Sequence, residues 1–142
     1  MSTASSSAND VSSAVPGWLV PTTRVTSTFL AFGIVLQAYF AGSGVFDGNS
    51  DLINVHEMFG NIIFLVALAQ IVITFIGMGR GVFSPNLPIV SVVIFVLIVV
   101  QISLGYAGRE DISAIAYHLP NGVLLMGLCT WSAALAWRPN RA

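Results

Sequence analysis

A chain of 142 residues that is 56% hydrophobic, 8% charged and free of lysine lacks the charged surface, about a quarter of all residues, that a water-soluble domain carries. It reads as an integral membrane protein with the lipid bilayer as its first partner. A formal charge of −1 without a basic run excludes nucleic acid as a partner, and the single cysteine, Cys129, has neither a disulfide mate nor metal-ligand spacing, so it reads as a small packing residue.

Residues 1–20 form a polar N-terminal tail. Met1 to about Gly17 is rich in Ser and Ala and suits a flexible or partner-ordered segment; it lacks the positively charged start and apolar core of a secretory signal. Trp18, Leu19, Val20 and Pro21 make a short apolar step at the depth of the headgroups, where Trp is favoured. Residues 21–142 then read as one transmembrane domain. A hydrocarbon core of about 30 Å needs about 20 apolar residues per helix, and four segments qualify: about 23–44, 52–76, 87–106 and 113–137. Pro88 falls in the first turn of the third span, where a missing N–H costs little. Gly77, Gly79, Gly81 and Pro85 punctuate the middle connection. Short connections make neighbouring spans antiparallel, so the expected fold is an all-α, up-down-up-down four-helix membrane bundle built from two repeated helix hairpins.

The repeat is visible in the polar residues. Gln37 is followed by Ala41 and Gly44, an acidic loop, His56 and Gly60; Gln101 is followed by Gly105 and Gly108, another acidic loop, His118 and Gly122. These separations of three and four put each set on one helix face. At a rise of about 1.5 Å per residue, all four Gln and His side chains lie about 7 to 10 Å below the loop-bearing end. Each span therefore contributes one polar group to one layer, and polar groups at such a depth are costly enough to imply a function. Arg24, Arg80, Arg138 and Arg141 fall on the end that bears the termini and only Arg109 on the other, so both termini are expected in the cytoplasm, with the bacterial inner membrane as the location.

The layer suggests a b-type haem between the second and fourth spans, with His56 and His118 as the metal ligands. Haem iron accepts neutral imidazole, and facing helices of a bundle are a common place for such a site. Gly60 and Gly122, one turn from their histidines, would leave room for a macrocycle; Gln37 and Gln101 would orient an imidazole, a propionate or a water; Arg109 and Tyr117 would meet propionates near the acidic end. Two protein ligands leave iron no open position, which suits electron transfer rather than an enzyme. The same residues also suit a cofactor-free scaffold, or an accessory subunit of a larger membrane complex. There, small residues permit close packing and buried Gln and His hydrogen-bond between helices. Proton, quinone or other metal chemistry stays open as well. A zinc-protease motif is excluded because His56-Glu57 lacks its second histidine, and a three-histidine zinc site because the chain has only two; Trp131 and Trp137 read as interface anchors.

Gln101-Ile-Ser-Leu-Gly105, an outer loop and then His118 on the next span resemble the corresponding stretch of haem A synthase, and Gln37 to His56 resembles it more loosely. Each half of that enzyme is a four-helix bundle with paired histidines on its second and fourth helices. The resemblance covers one half of it, and the chain is similar also to small uncharacterised four-helix bacterial membrane proteins with the same Gln and His pattern. It implies haem ligation by His56 and His118. It does not imply synthase chemistry: the glutamate that the family carries one turn before its first histidine is Ile53 here, and the family's outer-loop cysteine pair and second half have no counterpart.

Overall fold

The computed structural model describes residues 15–138; most of the polar tail, and Arg141 of the arginine count, lie outside them. Four long helices follow one another: α1 (Leu19–Phe46), α2 (Ser50–Gly79), α3 (Asn86–Ala107) and, after a 3-10 turn at Ile112–Ala114, α4 (Ile115–Ala136). Each is long and apolar enough to cross a membrane, and together they make the expected all-α four-helix bundle. α1 packs on α2 and α4, and α3 packs on the same two helices, so α2 and α4 face each other across a diagonal.

The helices overrun the apolar segments that announce them. α1 begins at Leu19, inside the stretch expected to be tail, and Leu19 is fully buried. It ends only where Gly48 adopts a left-handed backbone (φ 63°) that side chains with a Cβ avoid. Asn49 then caps α2, its side chain accepting from the amides of Asp51 (3.0 Å) and Leu52 (3.3 Å). At the other end, Gly77 and Gly79 belong to α2 rather than to the connection; the turn is made at Gly81 (φ 71°). Gly77 is buried because the Phe83 ring folds back onto it, with the amides of Val82 and Phe83 donating to its carbonyl. The fourth span starts later as an α-helix than its hydropathy suggests, since Asp111 caps a 3-10 turn first and Pro120 lies within the early turns of α4.

Asp111 is fully exposed, and its hydrogen bonds with the Ser113 side chain and amide hold its carboxyl below the usual carboxylate range. A depressed carboxyl stabilises the fold above its unfolded pKa, and that contribution fades as pH falls through its lower folded pKa. Amide-exchange protection of Ser113 is therefore expected at neutral pH and should be lost on acidification through the lowered Asp111 pKa, an effect that Asp111→Ala removes at every pH.

Lipid offers no hydrophobic drive between helices, so the bundle is held by packing and buried hydrogen bonds. The central cluster is Leu30, Ile63, Ala67, Ile94, Ile98, Leu125 and Cys129, all at most 3% exposed; Cys129 is the free, buried packing residue expected of it. At the end that bears the termini, Arg24 lies over the Trp137 ring (5.0 Å to its centroid) and donates to the Ala136 carbonyl, while Trp137 Nε1 donates to Thr28 Oγ1 at 3.0 Å. These contacts join the first and last helices and place Trp137, half exposed, at the level of an interface anchor.

Candidate functional site

His56 on α2 and His118 on α4 come together across the bundle diagonal, ring centroids 6.3 Å apart and planes inclined by 59°. Each is held from its own hairpin. His56 Nδ1 lies 3.1 Å from the Gln37 carbonyl oxygen of α1, and His118 Nδ1 lies 3.0 Å from the Gln101 carbonyl oxygen of α3. A backbone carbonyl can only accept, so in both rings Nδ1–H donates and Nε2 keeps its lone pair. This is the tautomer that binds metal, with the orienting hydrogen bond that metal-bound imidazoles characteristically make.

The separation of the rings has a chemical meaning. A metal–imidazole bond is about 2.0–2.1 Å long and the ring centroid lies about 1 Å behind the nitrogen, so two imidazoles on opposite sides of one ion have centroids about 6 Å apart. The two rings stand at that distance. Among the described residues no group of three or more His, Cys, Asp or Glu is placed to hold a metal ion, so a metal here would need most of its donors from elsewhere. A haem brings four nitrogens of its own and asks the protein for one or two ligands, which is what this pair offers.

A repeated contact sets the rings in place. Gly44 meets Ile53 and Gly108 meets Ile115 at the loop-bearing end of each hairpin; a Cβ at Gly44 would stand 2.6 Å from Ile53 Cδ1, and one at Gly108 would stand 2.9 Å from Ile115 Cγ1. Each isoleucine is one helical turn before its histidine, so the glycine lets the helices close to the spacing at which Nδ1 reaches the carbonyl. Gly105 adds to this in the second copy, since a Cβ there would be 3.3 Å from His118 Cε1; the first copy has Ala41 at the equivalent position.

The glutamine side chains go elsewhere than the imidazoles. Gln37 Nε2 would be 2.9 Å from a Cβ at Gly60, and Gln101 Nε2 would be 3.3 Å from one at Gly122. The notches left by these glycines are thus taken up by the ends of flexible amides, and a macrocycle would require those amides to turn aside. The copies differ here. Gln101 Oε1 accepts from Asn121 Nδ2 (2.6 Å), whereas Phe59 holds the matching position in the first copy and Gln37 Oε1 is buried without a partner among the described residues. Phe59 joins Phe29 and Phe40 in an aromatic cluster instead.

At the rim, Arg109 is ion-paired with Glu57, the residue after His56, and its guanidinium lies over the Tyr106 ring at 4.6 Å. Both partners are substantially exposed, and such pairs contribute about 0–1 kcal/mol. Tyr117 is 68% exposed and does not join the layer.

A profile described as "Family of unknown function (DUF6220)" matches residues 37–107. The chain belongs to this family. The part it shares with DUF6220 begins at Gln37 and ends with α3, so it includes Gln37, His56, Gly60, Gln101 and Gly105 and stops short of His118. No curated protein and no solved structure matches the chain.

Of the residues singled out in the sequence, His56, His118, Gln37, Gln101, Gly60 and Gly122 are brought into one layer, while Arg109 stands at its edge. Ile53, Ile115 and Asn121 were not among them. A signal for the isoleucines exists: each copy reads Ile-x-x-His, in Ile53 to His56 and Ile115 to His118. Asn121 has no such signal, because the repeat breaks at that position.

Proposed function

We propose that this chain is a small membrane b-type cytochrome, or a haem-bearing subunit of a membrane complex, that carries electrons through one haem set between α2 and α4. The observation that supports it is the histidine pair: two imidazoles from opposite corners of the bundle, each with Nδ1 engaged by a backbone carbonyl and with ring centroids 6.3 Å apart, a separation compatible with one ion bound by both.

When bound, the haem would supply one-electron chemistry; the chain's part is to hold and tune it. His56 and His118 would hold the iron. The Gln37 and Gln101 carbonyls would fix the ring orientation and raise the basicity of the ligating nitrogens. Two ligands from the protein would favour electron transfer over oxygen activation. The glutamine amides would swing from Gly60 and Gly122 to admit the ring edges, and Arg109 would shift from Glu57 to meet a propionate. Arg24, Arg80 and Arg138 stand at the end bearing the termini, which supports termini in the cytoplasm and the site toward the opposite face of the inner membrane.

A cofactor-free scaffold is the competing reading, and one observation favours it: the Gln37 and Gln101 amides already pack against Gly60 and Gly122. A reduced-minus-oxidised optical spectrum of the protein purified from haem-replete cells separates the two. A b-type signal at about one haem per chain is expected; its absence, with haem retained by a control cytochrome, sinks the proposal.

A further inference from the structure

The repeat continues below the histidine layer. Gln37 lies against Gly60 and Gln101 against Gly122; carrying that antiparallel register ten residues further along each helix sets Ser27 of α1 at the depth of Gln70 of α2, and Ser91 of α3 at the depth of Ser132 of α4. All four are 0–2% exposed, and they form a second polar layer about 15 Å from the first. Leu30, Ala67, Ile94 and Cys129, each about one turn away, bound it on the histidine side; toward the termini Leu87 and Ala136 follow on α3 and α4, and the buried Thr23 and Thr74 on α1 and α2.

The hydrogen bonds in this layer do not balance. Gln70 reaches across the diagonal, its Nε2 donating to Ser132 Oγ at 3.0 Å. Ser91 Oγ donates to the Leu87 carbonyl at 2.9 Å and Thr74 Oγ1 to the Gln70 carbonyl at 2.8 Å. Ser27, the counterpart of Ser91, makes no such bond. Among the described residues Ser27 Oγ and Gln70 Oε1 are buried without a partner. One is a hydroxyl able to donate, the other an acceptor, and the register sets them at one depth on two packed helices. Lipid cannot satisfy either group.

We propose that the inner layer is a water-binding site, with a water molecule bridging Ser27 Oγ and Gln70 Oε1. A buried water typically makes two to four hydrogen bonds to polar groups that the protein leaves unmatched, and Ser27 Oγ and Gln70 Oε1 are two such groups. The site is separate from the histidine layer and does not depend on haem.

Two measurements on the full chain in detergent test this. In water-edited NMR, the Gln70 side-chain amide protons should show a cross-peak to water that disappears in Ser27→Ala; no cross-peak in the unsubstituted protein overturns the proposal. In unfolding experiments, Ser27→Ala should raise the unfolding constant about tenfold, because it releases the water and leaves the Gln70 acceptor unmatched, but should have no such effect in a Gln70→Leu background. If Ser27→Ala leaves the unfolding midpoint unchanged or raises it, Ser27 is an unmatched hydroxyl whose removal relieves the core, and the bridging water is refuted.

Discussion

His56→Ala and His118→Ala are each expected to lower the haem bound per chain at least tenfold and to remove the six-coordinate spectrum entirely, while the bundle stays folded. Loss of a residue that merely orients a ligand already costs 10–100-fold in metal affinity, so loss of a ligand should cost no less. Folding should survive because alanine is the best helix former, and the Gln37 and Gln101 carbonyls released from Nδ1 remain within their helices, so each variant loses about 1 kcal/mol of hydrogen bonding. Because the two rings occupy matched positions, 3.1 and 3.0 Å from their carbonyls, the two variants should fail to a similar degree. Added imidazole should restore the spectrum in either, by filling the space the ring vacates. A scaffold predicts otherwise: both variants assemble and neither they nor the parent show a haem spectrum. One variant losing haem while the other keeps the six-coordinate signal would dismiss a paired-ligand site.

Much of this arrangement was legible in the residues because a membrane span is a coarse object. About 20 apolar residues announce it, and a costly polar residue within it stands out, so Gln37, His56, Gln101 and His118 declared a layer by depth alone. What depth does not give is rotation about the helix axis and the partner each side chain finds. Gly60 and Gly122 read as space for a cofactor, yet their nearest neighbours are the Gln37 and Gln101 amides. Arg109 read as a partner for propionates near the acidic end, yet Glu57 engages it. Ile53 read only as a departure from haem A synthase; the fold shows what the isoleucine does, which is to seat α2 on Gly44. Gly77 and Gly79 read as a connection, because glycine breaks helices in water, whereas within an apolar span backbone hydrogen bonding holds the helix and the small residue serves packing, here of the Phe83 ring. The inner polar layer escaped notice because serines in apolar helices are common and bond back to their own carbonyls; only the register exposed Ser27 as an exception.

The glycine–isoleucine contacts give the second large effect. Gly44→Leu and Gly108→Leu should each destabilise the bundle by about 1–3 kcal/mol, the usual cost of overpacking a fitted interface, although leucine is the better helix former. The clash is with Ile53 Cδ1 and Cγ1, 2.6 and 2.9 Å from the position of a Cβ at Gly44, and with the side chain of Ile115 in the second copy. The hairpin can relieve it only by parting at the loop-bearing end, one turn from the histidine, which draws Nδ1 off its carbonyl. Stability and the ligand layer should therefore fail together. Returning the volume on the opposite helix should rescue both: Gly44→Leu with Ile53→Ala, and Gly108→Leu with Ile115→Ala, should recover most of the unfolding midpoint and of the bound haem, since neighbouring substitutions couple where distant ones add. Crossed pairs, such as Gly44→Leu with Ile115→Ala, should show additive losses. Equal rescue by matched and crossed pairs would mean that each glycine acts through its own helix rather than through the isoleucine it faces, and that the histidines owe their positions to something other than this contact.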